Sequence, residues 1–218
     1  MRVLPNSFRS IESAIAELGS TDSIWFRGHA QQHQLVPALY RFPGGAANEL
    51  NILNRYRSDL EVRTSGQGLS NLIALHHSYV PTRLLAWTES LYVALFCAIV
   101  RESHPAVFIL NPVALNAQSK IEGIVKLNSQ PPAHCEILDW PDHSWLPERP
   151  VAIDGRSTEY ETGETESIFT LHGTNELPLE KQCPDCVRKV VLTKEERSLA
   201  GELILAGNGW RGFAPEVR

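Results

Sequence analysis

The sequence has little cysteine, no long apolar run and no excess of positive charge. Four cysteines in 218 residues are too few for a disulfide scaffold. The longest apolar run, residues 91–100, is half the length of about 20 that a transmembrane helix needs. The first residues include no apolar stretch that would suit a signal peptide. These absences predict a cytoplasmic protein with no membrane partner and with reduced cysteines.

The charge and motif content exclude further classes. A net charge of −5 argues against a broad basic face that coats nucleic acid. Neither standard glycine-rich phosphate loop is present. The one close cysteine pair, Cys183 and Cys186, is explained either by a plain turn or by half of a zinc site. Cys135, His134 or His172 would have to complete that site, and we predict no metal.

The composition is that of a globular domain, with 43% hydrophobic and 21% charged residues. Periodicity and capping signals predict helices and strands without regular alternation, which favours the α+β class, with mixed or antiparallel sheets flanked by helices. The predicted helices span 7–18, 48–62, 69–77, 91–100 and 193–206. Ser90 is the predicted cap of the fourth, and the fifth begins with a capping box of Thr193 and Glu196 and ends at Gly207. The predicted strands span 23–26, 84–88, 106–110, 167–171 and 188–192, and Asn111-Pro112 ends the third of them. Residues 128–165 are predicted to be loops with short strands.

Two stretches beside predicted buried strands are rich in Arg, His, Tyr, Trp, Thr and Ser side chains. They are residues 24–41 and 76–98. Each contains an arginine at the edge of an apolar segment, Arg27 and Arg83. Burying an arginine costs free energy unless a hydrogen-bond acceptor or an anion pairs with it. The planar guanidinium group is also suited to bidentate contact with phosphate. The two explanations, an internal carboxylate or carbonyl and an anionic ligand, stay open for each arginine.

These stretches resemble the FRG domain family, named for the triplet found here at residues 26–28. The family patterns L-x-P-x-L-x-R and QHxGxPTRLLDWT-x-S are matched, the second in part, at residues 35–41 and 76–90. An apolar helix and an F-T-L-H-G element follow at 93–98 and 169–173. The resemblance implies a single domain, with an N-terminal helix at 1–20, an FRG-like body at 21–192, and a C-terminal helix and tail of the same domain at 193–218.

Three positions depart from the family pattern. His29 stands in place of the usual glutamine, and Tyr79 ends a segment that usually ends in glycine. Ala86 replaces the usual aspartate before Trp87. If that aspartate orients a catalytic group in the family, this chain would be weakened or would use Glu89 instead.

A second resemblance is to ADP-ribosyltransferases of the Arg–Ser–Glu type. Three of their elements occur here in the same order: Arg27-Gly28, then Thr88-Glu89-Ser90 before an apolar helix, then Glu164-Thr165-Glu166 before a late strand. This resemblance implies a split sandwich of two sheets. It also implies NAD, or a related nucleotide, as the substrate and partner, with a protein or nucleic-acid acceptor that the sequence does not identify.

The same resemblance implies roles for individual residues. Arg27 would hold the pyrophosphate, Glu166 would stabilise an oxocarbenium-like ribose, and Glu164 would orient the nucleophile. His77 is the third catalytic candidate, as a general base. Tyr79 or Trp87 would stack on nicotinamide, and Thr88 or Ser90 would hold the ribose or Arg27. The full set of predicted NAD-binding residues is Arg27, Gly28, His29, Tyr79, Thr82, Arg83, Trp87, Thr88 and Ser90.

Three functions remain open at the level of sequence. The first is an NAD-dependent ADP-ribosyltransferase or NAD glycohydrolase, as in a bacterial or phage-associated toxin or defence effector. The second is a non-catalytic module that binds a nucleotide or a nucleic-acid end, which the alanine at position 86 favours. The third is a metal-independent nuclease with His77 and Glu166 as acid and base.

Overall fold

The computed structural model describes residues 8–19, 23–30, 33–59, 69–100, 104–126, 147–156 and 168–206. In these ranges, no helix combines the length and the apolarity needed to cross a membrane. The strands are β1 (Trp25–His29), β2 (Leu84–Trp87), β3 (Ala106–Leu110), β4 (Val125–Lys126), β5 (Val151–Asp154), β6 (Ile168–Leu171) and β7 (Val187–Val191). The helices are α1 (Arg9–Glu17), α2 (Ala38–Arg41), α3 (Glu49–Asp59), α4 (Leu69–His77), α5 (Leu91–Ile99), α6 (Pro112–Gln118), α7 (Leu179–Gln182) and α8 (Lys194–Ala206).

The strands form two sheets. The first is antiparallel with the order β1-β3-β7, and the second has the order β2-β6-β5-β4 with one parallel pair, β4 and β5. An isolated bridge between Phe26 and Thr88 joins the edges of the two sheets. The predicted α+β class, with an antiparallel and a mixed sheet flanked by helices, is confirmed.

Strand alternation explains how the layers stack, because successive side chains point to opposite faces. Trp25 and Phe108 of the first sheet pack with Leu85 and Trp87 of the second in a core between the sheets. The opposite face of the first sheet packs against α1, α5 and α8. The opposite face of the second sheet packs against α4. The order of layers is therefore helices, sheet, sheet, helix.

Most predicted elements lie where the sequence places them, with boundaries shifted by a residue or two. Thr193 and Glu196 form the predicted capping box at the start of α8, with hydrogen bonds of 2.9 and 3.1 Å in the two directions. Ser90 caps α5 through its hydroxyl, as predicted. The predicted ends of two helices, residues 60–62 and Gly207, lie outside the described residues.

Helix α6 is not among the elements predicted from the sequence. The sequence predicts only that Asn111-Pro112 ends β3. In the structure, Asn111 also accepts the amide of Ala114 at 2.9 Å and caps a helix that begins with Pro112. Asparagine at the cap followed by proline at the first position is a helix start signal, and it would have identified α6.

Candidate functional site

Arg27 and His29 lie on the face of β1 that points toward the second sheet. Residues two apart in a strand share a face, and Trp25 on this same face is in the core between the sheets. Beyond that core, Arg27 Nε donates to His29 Nε2 at 2.8 Å. A terminal nitrogen of Arg27 donates to the Ala86 carbonyl of β2 at 2.6 Å. These two bonds hold the guanidinium at the gap between the sheets.

His29 can orient Arg27 only as a neutral ring. Its Nε2 accepts from Arg27, so the proton must lie on Nδ1, which faces the His33 carbonyl at 3.2 Å. Burial first, and then the Arg27 charge, lower the pKa of His29 to about 4. A glutamine amide also offers one acceptor and one donor, which explains how histidine replaces the usual glutamine here.

Arg27 is a desolvated cation held by neutral acceptors. Burial, and then the neighbouring Arg41, lower its pKa to about 10. Over the described part of the chain, neither Arg27 nor Arg41 forms an ion pair with a carboxylate. Positive charge that is partly removed from water and not neutralised internally favours an anionic ligand.

A cavity of about 370 Å³ opens at this position, within the size range of small-molecule sites. Its basic side chains are Arg27, Arg41 and His76, and no carboxylate is among its described lining residues. His76 Nδ1 lies 3.0 Å from Thr82 Oγ1. Burial, followed by the charges of His77 and Arg27, lowers the pKa of His76 to about 4. The apolar wall consists of Ala38, Phe42, Pro81, Leu84, Leu85 and Ala86.

Arg83 is placed differently, since it is only 2% exposed and does not line this cavity. Two of its nitrogens donate to the two carboxylate oxygens of Glu49, which is fully buried. Its remaining terminal nitrogen donates to Tyr40 Oη and to the carbonyls of His172 and Gly173. The guanidinium is saturated by protein, so we assign Arg83 a structural role.

Several other predicted binding residues also have structural contacts. Trp87 is buried and its indole donates to Thr170 Oγ1 at 3.1 Å. Thr88 pairs with Phe26 through the backbone, and Ser90 caps α5. A Cβ on Gly28 would lie 1.8 Å from the Ala94 carbonyl oxygen, so this glycine is required for close packing of α5 on β1.

The remaining predicted site residues are of three kinds: one lies next to the cavity, two are exposed, and two lie outside the described residues. Thr82 is buried and contacts the cavity residue His76. Tyr79 is 90% exposed, and His77 is also exposed and is not part of the cavity lining. Glu164 and Glu166 lie outside the described residues.

Two residues of the site region, Arg41 and Glu49, are not among the residues predicted from the sequence. Arg41 occurs within the L-x-P-x-L-x-R match, and its position there was the available signal. Glu49 carries no motif, and its pairing with Arg83 spans 34 positions, so a single sequence contains no signal for it. In the part of the chain that the structure describes, no group of three or more histidine, cysteine or acidic side chains is arranged to hold a metal.

The fold and the cavity define a two-sheet α+β protein with a basic pocket at the edge between its sheets. Residues 22–106 match the family model described as the FRG domain. This segment of the chain, which includes Arg27, Arg41, His76 and Ala86, is therefore similar to the FRG domain. Neither a curated protein nor a solved structure matches the chain.

Proposed function

We propose that the Arg27 cavity binds the phosphate groups of a nucleotide and that the chain is an NAD-dependent ADP-ribosyltransferase or NAD glycohydrolase. The observation that carries the binding proposal is the state of Arg27. It is desolvated, oriented by His29 and the Ala86 carbonyl, and has no carboxylate partner among the described residues. A pyrophosphate would supply the missing negative charge and accept the donors that face the cavity.

The catalytic part of the proposal rests on chain order and on strand pairing. Strand β6 begins at Ile168, two residues after Glu166 in the sequence, and Ile168 pairs with Trp87. Trp87 follows Ala86, whose carbonyl holds Arg27. The chain thus returns beside the Arg27 cavity directly after the predicted glutamates. There, Glu166 would hold the ribose next to nicotinamide and stabilise the positive charge that develops as the bond to nicotinamide breaks.

The non-catalytic nucleotide-binding module is the second candidate, and one observation favours it. Ala86 lies in the cavity wall at the position where the family pattern has aspartate. The described lining therefore has donors for an anion but no carboxylate that would act as a base. The nuclease alternative has no comparable support, because His77 does not line the cavity. The toxin or defence role remains a prediction.

Binding and turnover should be measured on the same protein. Isothermal titration with NAD and with ADP-ribose should give saturable binding, and Arg27→Ala should weaken it at least tenfold. The matched control is Arg9→Ala, since Arg9 is exposed on α1 and remote in the fold from the cavity lining. Equal affinity of the Arg27 and Arg9 variants would overturn the binding proposal.

Measuring which substrate is consumed distinguishes the three candidate functions. Nicotinamide release from NAD that is lost in Glu166→Gln supports the transferase or glycohydrolase. Arg27-dependent binding without release identifies the non-catalytic module. Loss of RNA or DNA in the absence of NAD, dependent on His77, identifies a nuclease and contradicts the proposed reaction.

A further inference from the structure

A pair of cysteines, Cys183 and Cys186, lies away from the cavity, at the turn between α7 and β7. Cys183 follows the last residue of α7 and Cys186 precedes β7. The Cys186 amide donates to the Cys183 carbonyl at 3.1 Å, which closes a turn whose end Cα atoms lie within about 7 Å. Disulfides join cysteines at about this separation. Both residues are free cysteines and are buried.

The side chain of Gln118 contacts both sulfurs. Cys183 Sγ lies 2.7 Å from Gln118 Oε1, and Gln118 Nε2 lies 3.2 Å from Cys186 Sγ. Arg149 determines which end of the amide is oxygen, because it can only donate and lies 3.1 Å from Oε1. The amide nitrogen must then donate to Cys186. Cys183 is therefore the protonated donor, and Cys186 is the sulfur that accepts.

We propose that Cys183 and Cys186 form an oxidisable dithiol, in which Cys186 attacks a small hydroperoxide and Cys183 resolves the product to a disulfide. The thiolate is the nucleophilic form of cysteine, and the Gln118 amide stabilises it on Cys186. The assignment is independent of nucleotide binding.

The groups around the two sulfurs also favour Cys186 as the nucleophile and Cys183 as the resolving cysteine. The neighbouring Cys183 thiol lowers the pKa of Cys186, with further help from Arg188 and Gln118, while burial and Asp185 oppose the shift. The neighbouring Cys186 sulfur, followed by burial, raises the pKa of Cys183. Cys186 is therefore the thiol of the pair that loses its proton first, and Cys183 is the one that keeps it.

The reaction balances with the hydroperoxide as the two-electron oxidant. The Cys186 thiolate attacks one peroxide oxygen, the O–O bond breaks, and the leaving alkoxide or hydroxide takes a proton from water, giving a sulfenic acid on Cys186. The Cys183 sulfur then attacks the Cys186 sulfur, the S–O bond breaks, and water leaves with the Cys183 proton. Because both sulfurs are buried beneath the partly exposed Gln118, the oxidant must be small, and hydrogen peroxide is the probe of choice.

The experiment follows each cysteine of the full chain by mass spectrometry after graded hydrogen peroxide. Exposed Cys97 serves as an internal reference. In the unaltered protein, a 183–186 disulfide should form before Cys97 is oxidised. In Cys183→Ser, a cyclic 1,3-dione should trap sulfenic acid on Cys186, and in Cys186→Ser, Cys183 should react no faster than Cys97.

Gln118→Glu is the sharpest variant because it keeps the shape and the oxygen that faces Cys183 but removes the donor to Cys186. Oxidation of Cys186 should slow about tenfold, the loss expected when its pKa rises by about one. Circular dichroism and the thermal midpoint show whether each variant is folded. Three results would overturn the proposal: Cys97 reacting first, Cys183 reacting as the nucleophile, or one zinc ion per purified chain bound by these thiols.

Discussion

Arg27 and Arg83 illustrate how a single neighbouring carboxylate decides the role of a buried arginine. Arg83 meets Glu49 in a buried bidentate pair, and removing one partner of such a pair costs about 3–5 kcal/mol because the other charge is left unpaired. Arg27 meets only a neutral ring and a carbonyl. The internal explanation therefore holds for Arg83, whereas at Arg27 an internal carbonyl leaves the positive charge without a carboxylate partner among the described residues, and an anionic ligand there is a proposal. The deciding residue, Glu49, is distant in sequence, so no local pattern distinguishes the two cases.

His29 is the residue through which the orientation of Arg27 can be tested. His29→Gln keeps an acceptor for Arg27 and should retain nucleotide affinity. His29→Leu removes it and should weaken ADP-ribose binding about tenfold, since a hydrogen bond to a charged group contributes about 1.5 kcal/mol or more. Titration calorimetry on both variants measures the difference. Unchanged affinity in His29→Leu would show that Arg27 needs no support from this ring.

At the scale of elements, the packing of α5 on β1 depends on a missing side chain. A Cβ at position 28 would lie 1.8 Å from the Ala94 carbonyl oxygen and 2.7 Å from the Ala98 amide, and neither backbone atom can move without the helix. Gly28→Ala should destabilise the fold by about 3 kcal/mol. Gly201→Ala, in α8 with no atom near the added methyl group, should stabilise it by about 1 kcal/mol. Urea unfolding compares the two, and similar effects would contradict this packing argument.

The end of α4 explains why the family pattern has glycine at position 79. Tyr79 has φ of 61°, and the hydrogen bonds Val80 to Leu75 and Tyr79 to His76 form a Schellman motif. A non-glycine residue in this left-handed conformation costs about 1–2 kcal/mol. Tyr79→Gly should therefore raise the free energy of unfolding by about 1 kcal/mol, measured by thermal or urea denaturation. Tyr79→Ala removes the exposed ring but keeps the strain, so it should show no comparable gain; an equal gain would attribute the effect to the ring.

Helices and strands were predicted well where the residues that determine their spans and caps lie close together in sequence and were all considered. The span Leu69–His77 and the capping box at Thr193 are examples, because their determinants lie within a few residues. Helix α6 was missed although its signal, Asn111-Pro112, is equally local. The direction of a side chain was harder to predict, since it depends on which face of the strand meets the other sheet. Arg27 faces the gap between the sheets only because β1 pairs with β3 and bridges to Thr88.

On the scale of the whole molecule, the layered sandwich buries several histidines as neutral rings. Burial is the largest cause of the lowered pKa in each case, which brings His29 and His76 to about 4 and His172 to about 3. His172 is fully buried between Thr170 and Tyr40. These rings come from three different elements or loops, so their combined titration is a property of the assembled fold.

The consequence is a loss of stability in mild acid. In the unfolded chain these histidines take up protons near pH 6.5, whereas in the folded chain they stay neutral down to about pH 4. Unfolding between these values takes up protons, so the free energy of unfolding is fully present above about pH 6.5 and falls as the pH drops, by about 1.4 kcal/mol per pH unit for each histidine. Urea midpoints measured from pH 7 to pH 5 should decrease accordingly. His29→Gln removes one of these rings and should reduce the slope by about 1.4 kcal/mol per pH unit, whereas an unchanged slope would mean that His29 is already protonated in the folded protein.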